Sequence, residues 1–304
     1  MSGSILITGG SGLLALNWAV AVRDRGQVTL ALYDREIRLA GIRAQYASLD
    51  SIDDVLRTLD AIGPEMVVHT AGLASVEDCE ADEPLARHVN VDLAGHVAAA
   101  CARRSLPLVH ISTDHLFLGD QALVSEEQPV APQNVYARTK ADAERRVLDA
   151  CPDALVVRTN FYGWGPRYRR SFSDTIIDTL RQGVPITLFV DVFYTPVLAE
   201  TLSHAVHDLV RLNARGVVHV SGDERISKYE FGLRVARRFQ LDAGLIQPGR
   251  LAERSALAPR PLDMSLSNAH ACRLLGRHLG GVDLHLDRLY EQEQLGIAQE
   301  VQHS

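Results

Sequence analysis

Short apolar runs alternate with stretches of helical spacing through the first half of the chain. Ile5–Ile7, Val28–Tyr33, Glu65–His69, Leu108–Ser112 and Ala154–Arg158 read as strands. They are continuously apolar rather than alternating, as expected of strands covered on both faces. Leu13–Arg25, Ser51–Ile62, Pro84–Arg104 and Val135–Ala150 carry apolar positions at helical spacing. Ser51 suits a helix start, Gly63-Pro64 a stop, and Gly26 a C-terminal stop for the first helix. This β-α-β rhythm predicts an α/β fold, a doubly wound parallel sheet of Rossmann type.

After Arg158 the rhythm loosens. Residues 161–170 mix Tyr, Trp, Gly and Arg and read as a ligand-facing loop. Helices are expected at Ser173–Gln182, Leu198–Leu212 and Ser227–Phe239, and a strand at Val217–Val220, so that the chain returns to the sheet at about 195–222. Pro248–Ser267 reads as irregular, and Glu291–Ser304 as a polar, frayed tail. The expected division is a sheet domain at 1–158 and a smaller C-terminal lobe in 159–304.

Composition narrows the class. A hydrophobic fraction of 46% over 304 residues suits a soluble globular protein, and the formal net charge of −7 argues against nucleic acid or an anionic membrane as main partner. No uncharged apolar run reaches membrane-spanning length, and the N-terminal apolar run is too short for a signal peptide. Cys79, Cys101, Cys151 and Cys272 show no CxxC spacing, which predicts reduced thiols in a cytoplasmic protein. His69, His110 and His219 have no carboxylate or Cys at ligand spacing, so no metal is expected.

Three motifs carry chemistry. The first is Gly9-x-x-Gly12-x-x-Ala15, between a strand and a helix, with Ser11 inside the turn. Gly9 permits the tight turn, Gly12 lets the backbone approach a pyrophosphate on the helix N-terminus, and Ala15 still allows close packing. The end of the second strand should select the cofactor: Asp34 suits the ribose hydroxyl of NAD(H), whereas Arg35, seconded by Arg38, suits the 2′-phosphate of NADP(H). The balance leans slightly to NADP(H). The second motif is Ser112-Thr113 after a strand; Thr113 is preferred over Ser112 for holding a carbonyl oxygen. The third is Tyr136 and Lys140, four apart on one helix face. A nearby ammonium would lower the phenol pKa and let Tyr136 protonate that oxygen as hydride arrives. Arg167, Arg169 and Arg170 beside Trp164 and Tyr168 suit a diphosphate and a stacked base.

Together with the runs 8–14, 69–80, 112–117 and 136–140, the pairs Val89-Asn90, Arg158-Thr159 and Arg260-Pro261 carry a resemblance. The chain resembles the extended short-chain dehydrogenase/reductases, and among them the dTDP-4-dehydrorhamnose reductase type, from residue 5 to about 267. The resemblance implies a dinucleotide-binding sheet domain and a lobe that holds a nucleotide sugar, with NAD(P)H reducing a keto group, at C4, of a nucleotide-linked deoxysugar. It places Thr113, Tyr136 and Lys140 in the catalytic positions. It puts Leu13 and Leu14 at the cofactor phosphates, Leu49 and Asp50 at the adenine, and Ala71, Gly72 and Leu73 by the ribose and nicotinamide. His115, Asn160, Arg167 and Arg260 stand as candidate substrate contacts, Arg260 near the nucleotide or diphosphate. The chain departs from the pattern at Ala15, at His115 where Tyr is common, and at Phe193–Pro196; the last two leave the particular sugar open. Alternatives are an epimerase or dehydratase with tightly held NAD, suggested by His69–Leu73, and a non-catalytic regulatory subunit of the kind that accompanies methionine adenosyltransferase. A homodimer is the assembly to test.

Overall fold

In the computed structural model, residues 3–253 and 258–304 are described. Seven parallel strands form the central sheet: β1 (Ile5–Thr8), β2 (Val28–Leu32), β3 (Arg43–Tyr46), β4 (Met66–His69), β5 (Leu108–Ile111), β6 (Leu155–Arg158) and, much later in the chain, β11 (Gly216–His219). Their order is β11-β6-β5-β4-β1-β2-β3. The winding reverses between β1 and β4, the crevice where doubly wound sheets bind ligands.

The strand residues divide by parity between two apolar layers, because successive side chains point to opposite faces. Ile5, Ile7, Leu30, Val68, Val109 and Val157 pack with Leu14, Trp18, Leu202 and Val206 on one side. Leu6, Val67, Leu108 and Val156 pack with Val55, Leu59, Val97 and Val147 on the other. Helices Leu13–Val22 and Ala199–Arg211 cover the first face; Ile52–Ile62, Leu93–Arg103 and Val135–Ala150 cover the second.

Three two-stranded pieces flank the sheet: β7 (Phe161–Tyr162) with β10 (Val197–Leu198), β9 (Phe193–Tyr194) with β12 (Ile226–Ser227), and β8 (Ile186–Phe189) with β13 (Ile246–Gly249). Their side chains join the same apolar cluster as the first sheet face, through Tyr162, Leu188, Tyr194, Leu198 and Ile226.

Several expectations are corrected. β3 carries no apolar signal because all four of its residues are exposed at the sheet edge. Gly26 is not a left-handed stop: its φ is 172°, and its value is room, since a Cβ there would meet the Gly3 carbonyl. Gly63 does close its helix, at φ 63°. The long helix expected at Pro84–Arg104 is broken by a π turn at His88–Asp92 between Glu83–Arg87 and Leu93–Arg103, and a short helix Val76–Ala81 precedes it. The tail is not frayed. Helices Val282–Gln294 and Ile297–Gln302 occupy it, and Leu289, Ala298 and Val301 are buried in the main core. In the stretch expected to be irregular, β13 reaches Gly249, and residues 254–257 lie outside those described.

Candidate active site

The glycine turn after β1 lies at the reversal point of the sheet. Gly9 has φ +69°, and a Cβ there would lie 2.7 Å from the Ala71 backbone, so both conformation and space demand glycine. Gly12 N donates to the Gly9 carbonyl at 2.8 Å and starts helix Leu13–Val22. That helix has no side-chain cap and no acidic residue in its first turn. Its free N–H groups and positive end are therefore available to an anion. A cavity of 390 Å³ opens above the turn. Its walls include Gly9, Ser11, Gly12, Leu13, Leu14, Leu49, Asp50, Ala71 and Gly72. These residues fit a dinucleotide: a backbone cradle for phosphates flanked by apolar walls.

Asp34 and Arg35 stand exposed, outside these walls, and Tyr33 takes the wall position. The Arg35 guanidinium lies 3.9 Å from the Tyr168 ring centre, and the Tyr168 hydroxyl donates to the Ser11 carbonyl at 2.8 Å. Arg38 pairs with Glu36 instead. From the same Arg-rich loop, Arg169 lines the cavity.

A second cavity, of 360 Å³, shares Ala74 and Phe161 with the first. It gathers Thr113, His115, Tyr136, Asn160 and Arg260, with Ser112, Asp114 and Glu77. Helix Val135–Ala150 presents Tyr136; Asn134 caps that helix by accepting from Ala137 N at 2.8 Å and also donates to the Pro259 carbonyl. The Ser112 hydroxyl is committed to Glu144 Oε1 at 2.5 Å, whereas the Thr113 hydroxyl makes a longer contact of 3.3 Å to Asp114 Oδ1 and is the more available of the two. The His115 and Tyr136 rings meet edge to face at 5.7 Å. Asn160 donates to the buried Asp114 carboxylate at 2.6 Å, whose pKa burial raises. Arg260 is ion-paired with Glu77 at the cavity wall.

The electrostatics differ from the sequence reading. Burial pushes the Tyr136 phenol up to about 12, with Thr113 opposing and Asp114 reinforcing the shift. Lys140 Nζ turns into the sheet, donating to the Ile111 carbonyl at 2.7 Å, and burial lowers its own pKa to about 8. One helix face does carry both residues, but the longer lysine side chain finds its partner on β5.

Two other expected residues fall outside both cavities. Leu73, like Tyr136, packs against the small cluster of Cys79, Ala86 and Val135, its backbone held by Asn90. Arg167 contacts His303 and lines a separate surface hollow with Arg170, Asp178 and Glu293. Sequence reasoning assigned no role to Asn90. From the π turn it accepts from Leu73 N at 2.8 Å and donates to the Leu73 carbonyl and to Thr139, tying the loop after β4 to the helix that bears Tyr136. Its place in Val89-Asn90, one of the pairs that carry the family resemblance, was the available signal. Among the described residues, Asp223, Cys272 and His278 come together, but the Asp223 carboxylate already accepts from Asn268, Leu279 N and Gly280 N.

Comparison with known proteins places this geometry. A model of the RmlD substrate binding domain matches residues 3–294. The probable dTDP-4,6-dihydroxy-2-methyloxan-3-one 4-ketoreductase of Streptomyces antibioticus is 30% identical, over 84% of this chain and 84% of its own. The probable low-salt glycan biosynthesis reductase Agl14 of Haloferax volcanii is 29% identical over 86% of this chain and 89% of its own. The fold is that of dTDP-4-dehydrorhamnose reductase from Bacillus anthracis, solved in complex with NADP, at a TM-score of 0.85, 24% identity and coverage of 96% and 100%. With the family model spanning nearly its full length, the chain belongs to the RmlD substrate binding domain family.

Proposed function

We propose that the chain uses NAD(P)H to reduce a keto group, at C4, on a nucleotide-diphosphate deoxysugar. The observation that carries this reading is the junction of two cavities at Ala74 and Phe161, one above a phosphate cradle and one around Thr113 and Tyr136. A reduced nicotinamide, when bound, supplies the hydride. Thr113 donates to the carbonyl oxygen and fixes its place. Tyr136, kept protonated at neutral pH by its raised pKa, gives its proton to that oxygen as negative charge develops there. Phe161 and Ala74 keep the junction apolar. Arg260, at the outer wall, offers its guanidinium to the diphosphate in place of Glu77.

The homologous ketoreductases support the reaction class, and the NADP-bound neighbour supports the lean to NADPH. Arg35 and Arg169 are the cations that favour it on this chain. The division into a sheet domain at 1–158, rejoined at about 195–222, and a substrate lobe in 159–304 belongs to this proposal, as do a cytoplasmic location and a homodimer. Among the described residues no helix is long and apolar enough to cross a membrane.

A panel of nucleotide 4-keto-6-deoxyhexoses, each with NADPH and NADH, tests the proposal through loss of reduced-nicotinamide absorbance. Oxidation with at least one sugar is expected. No oxidation with any of them overturns it, and bound NAD in the purified protein without net oxidation would mark an epimerase instead.

A further inference from the structure

Lys140 is the one catalytic candidate that lines neither cavity. Its ammonium is held from the sheet side. Nζ donates to the Ile111 carbonyl at 2.7 Å and lies 3.4 Å from His110 Nε2. The His110 ring is fully buried and stacks on His69, with centroids 5.4 Å apart and planes 20° from parallel. His69 Nδ1 in turn meets the Thr8 hydroxyl at 2.7 Å. Two histidines on neighbouring strands thus form the floor beneath the lysine.

The donor inventory fixes the tautomer. An ammonium has three donors and no acceptor, so a nitrogen facing it must offer a lone pair. Nε2 of His110 is therefore unprotonated and its proton sits on Nδ1. That Nδ1 is buried without a partner. A buried orphan donor costs roughly 1–3 kcal/mol, so a purely structural site would favour an apolar side chain here. Burial and the neighbouring lysine also hold both rings neutral, His69 down at about 3 and His110 well below its ordinary value. The other charged groups around Lys140 are Glu144, one turn on in its own helix, and Arg158 on β6, which Glu144 binds. Glu144 favours the charged lysine, and burial opposes it.

We propose that His110 is a positioning residue for Lys140: with the Ile111 carbonyl it holds two of the three ammonium donors and leaves the third for the Tyr136 side of the helix. The role rests on the reductase reading for its function, but not for its geometry. Removing the lone pair frees the ammonium to swing and weakens its charged form, because the buried site then offers one acceptor fewer.

His110→Phe retains the stack on His69 and deletes the acceptor; His110→Gln restores an acceptor at similar reach. Two readouts separate the outcomes. In the first, which needs no substrate, histidine nitrogen shifts in the labelled wild-type protein should show the Nδ1–H tautomer at His110. The Lys140 side-chain carbon should titrate lower in His110→Phe than in wild type by roughly half a pH unit or more. In the second, His110→Phe should lower kcat ~10-fold, as for loss of a hydrogen bond to a charged group. KM for the sugar should be unchanged and the alkaline limb of the pH profile should move down, with His110→Gln recovering most of the loss. An Nε2–H tautomer, or a Lys140 titration that His110→Phe leaves in place, overturns the proposal whatever the enzyme turns over. Failure of every sugar to react, with the tautomer and titration as expected, sinks the reductase reading and leaves the positioning intact.

Discussion

Glu144 and Arg158 form the most enclosed ion pair among the described residues, and its disruption has a calculable effect. Their side chains are 6% and 7% exposed. Arg158 Nη2 donates to Glu144 Oε2 at 2.7 Å and Nε to Oε1 at 2.9 Å, a two-pronged contact, while Ser112 donates to the same carboxylate. Glu144→Leu leaves the guanidinium with only His219 at 3.4 Å and the Phe117 ring at 5.5 Å. An uncompensated buried charge costs about 3–5 kcal/mol. For a chain of this size that lowers Tm by about 5–8 °C. Arg158→Met strands the carboxylate and should cost a similar amount. The pair of changes together removes both charges, so Glu144→Leu/Arg158→Met should recover most of the loss. Urea denaturation of wild type, both single variants and the double variant measures the coupling directly. Single variants within about 1 kcal/mol of wild type, or a double variant as unstable as the sum, would refute the reasoning, since uncompensated burial is its only premise.

Three further outcomes are expected. Tyr136→Phe removes only the phenolic oxygen, so turnover should fall ~10²-fold or more while NADPH affinity, measured by fluorescence titration, changes little. Lys140→Met should impair turnover and cofactor affinity yet stabilise the protein at pH 7 by on the order of 3 kcal/mol. The folded pKa of Lys140, lowered to about 8, lies below its unfolded value. The unfolded chain therefore binds the extra proton, and the wild-type penalty is full below about pH 8 and fades as pH rises toward the unfolded value. Chemical denaturation across pH 7–10 should show a weaker upward slope for the variant. Truncation after Leu295 removes the buried Ala298 and Val301 and the Arg23–Glu300 pair; about 2–4 kcal/mol of stability should go with them, read from the melting curve.

The sequence made the sheet legible where burial is two-sided. Ile5–Thr8, Met66–His69 and Leu155–Arg158 are apolar at every position or nearly so, because helices cover both faces. β3 was invisible for the opposite reason: a strand exposed on both faces has no pattern to show. The C-terminal helices were hidden by composition, since the few apolar residues that anchor them, Leu289, Ala298 and Val301, are diluted by Glu and Gln. At the site, motif spacing located Thr113, Tyr136 and the glycine turn, because backbone geometry fixes those positions. It could not foresee that Lys140 would reach β5, or that Arg167 would face away while Arg169 faces in. Such choices depend on side-chain packing across distant segments, to which local spacing is blind.

The sheet has two free margins, and each is closed to recruitment of another strand in its own way. β3 is only four residues long, fully exposed and headed by Arg43. Short, charged edges pair poorly with extended chains. At the opposite margin the Glu126 carboxylate accepts from His219 N at 2.8 Å and occupies a β11 donor that an incoming strand would need. The loop that carries Glu126 therefore acts as a guard against edge-to-edge aggregation. Glu126→Ala should leave the native fold standing while making the protein more prone to self-association at high concentration.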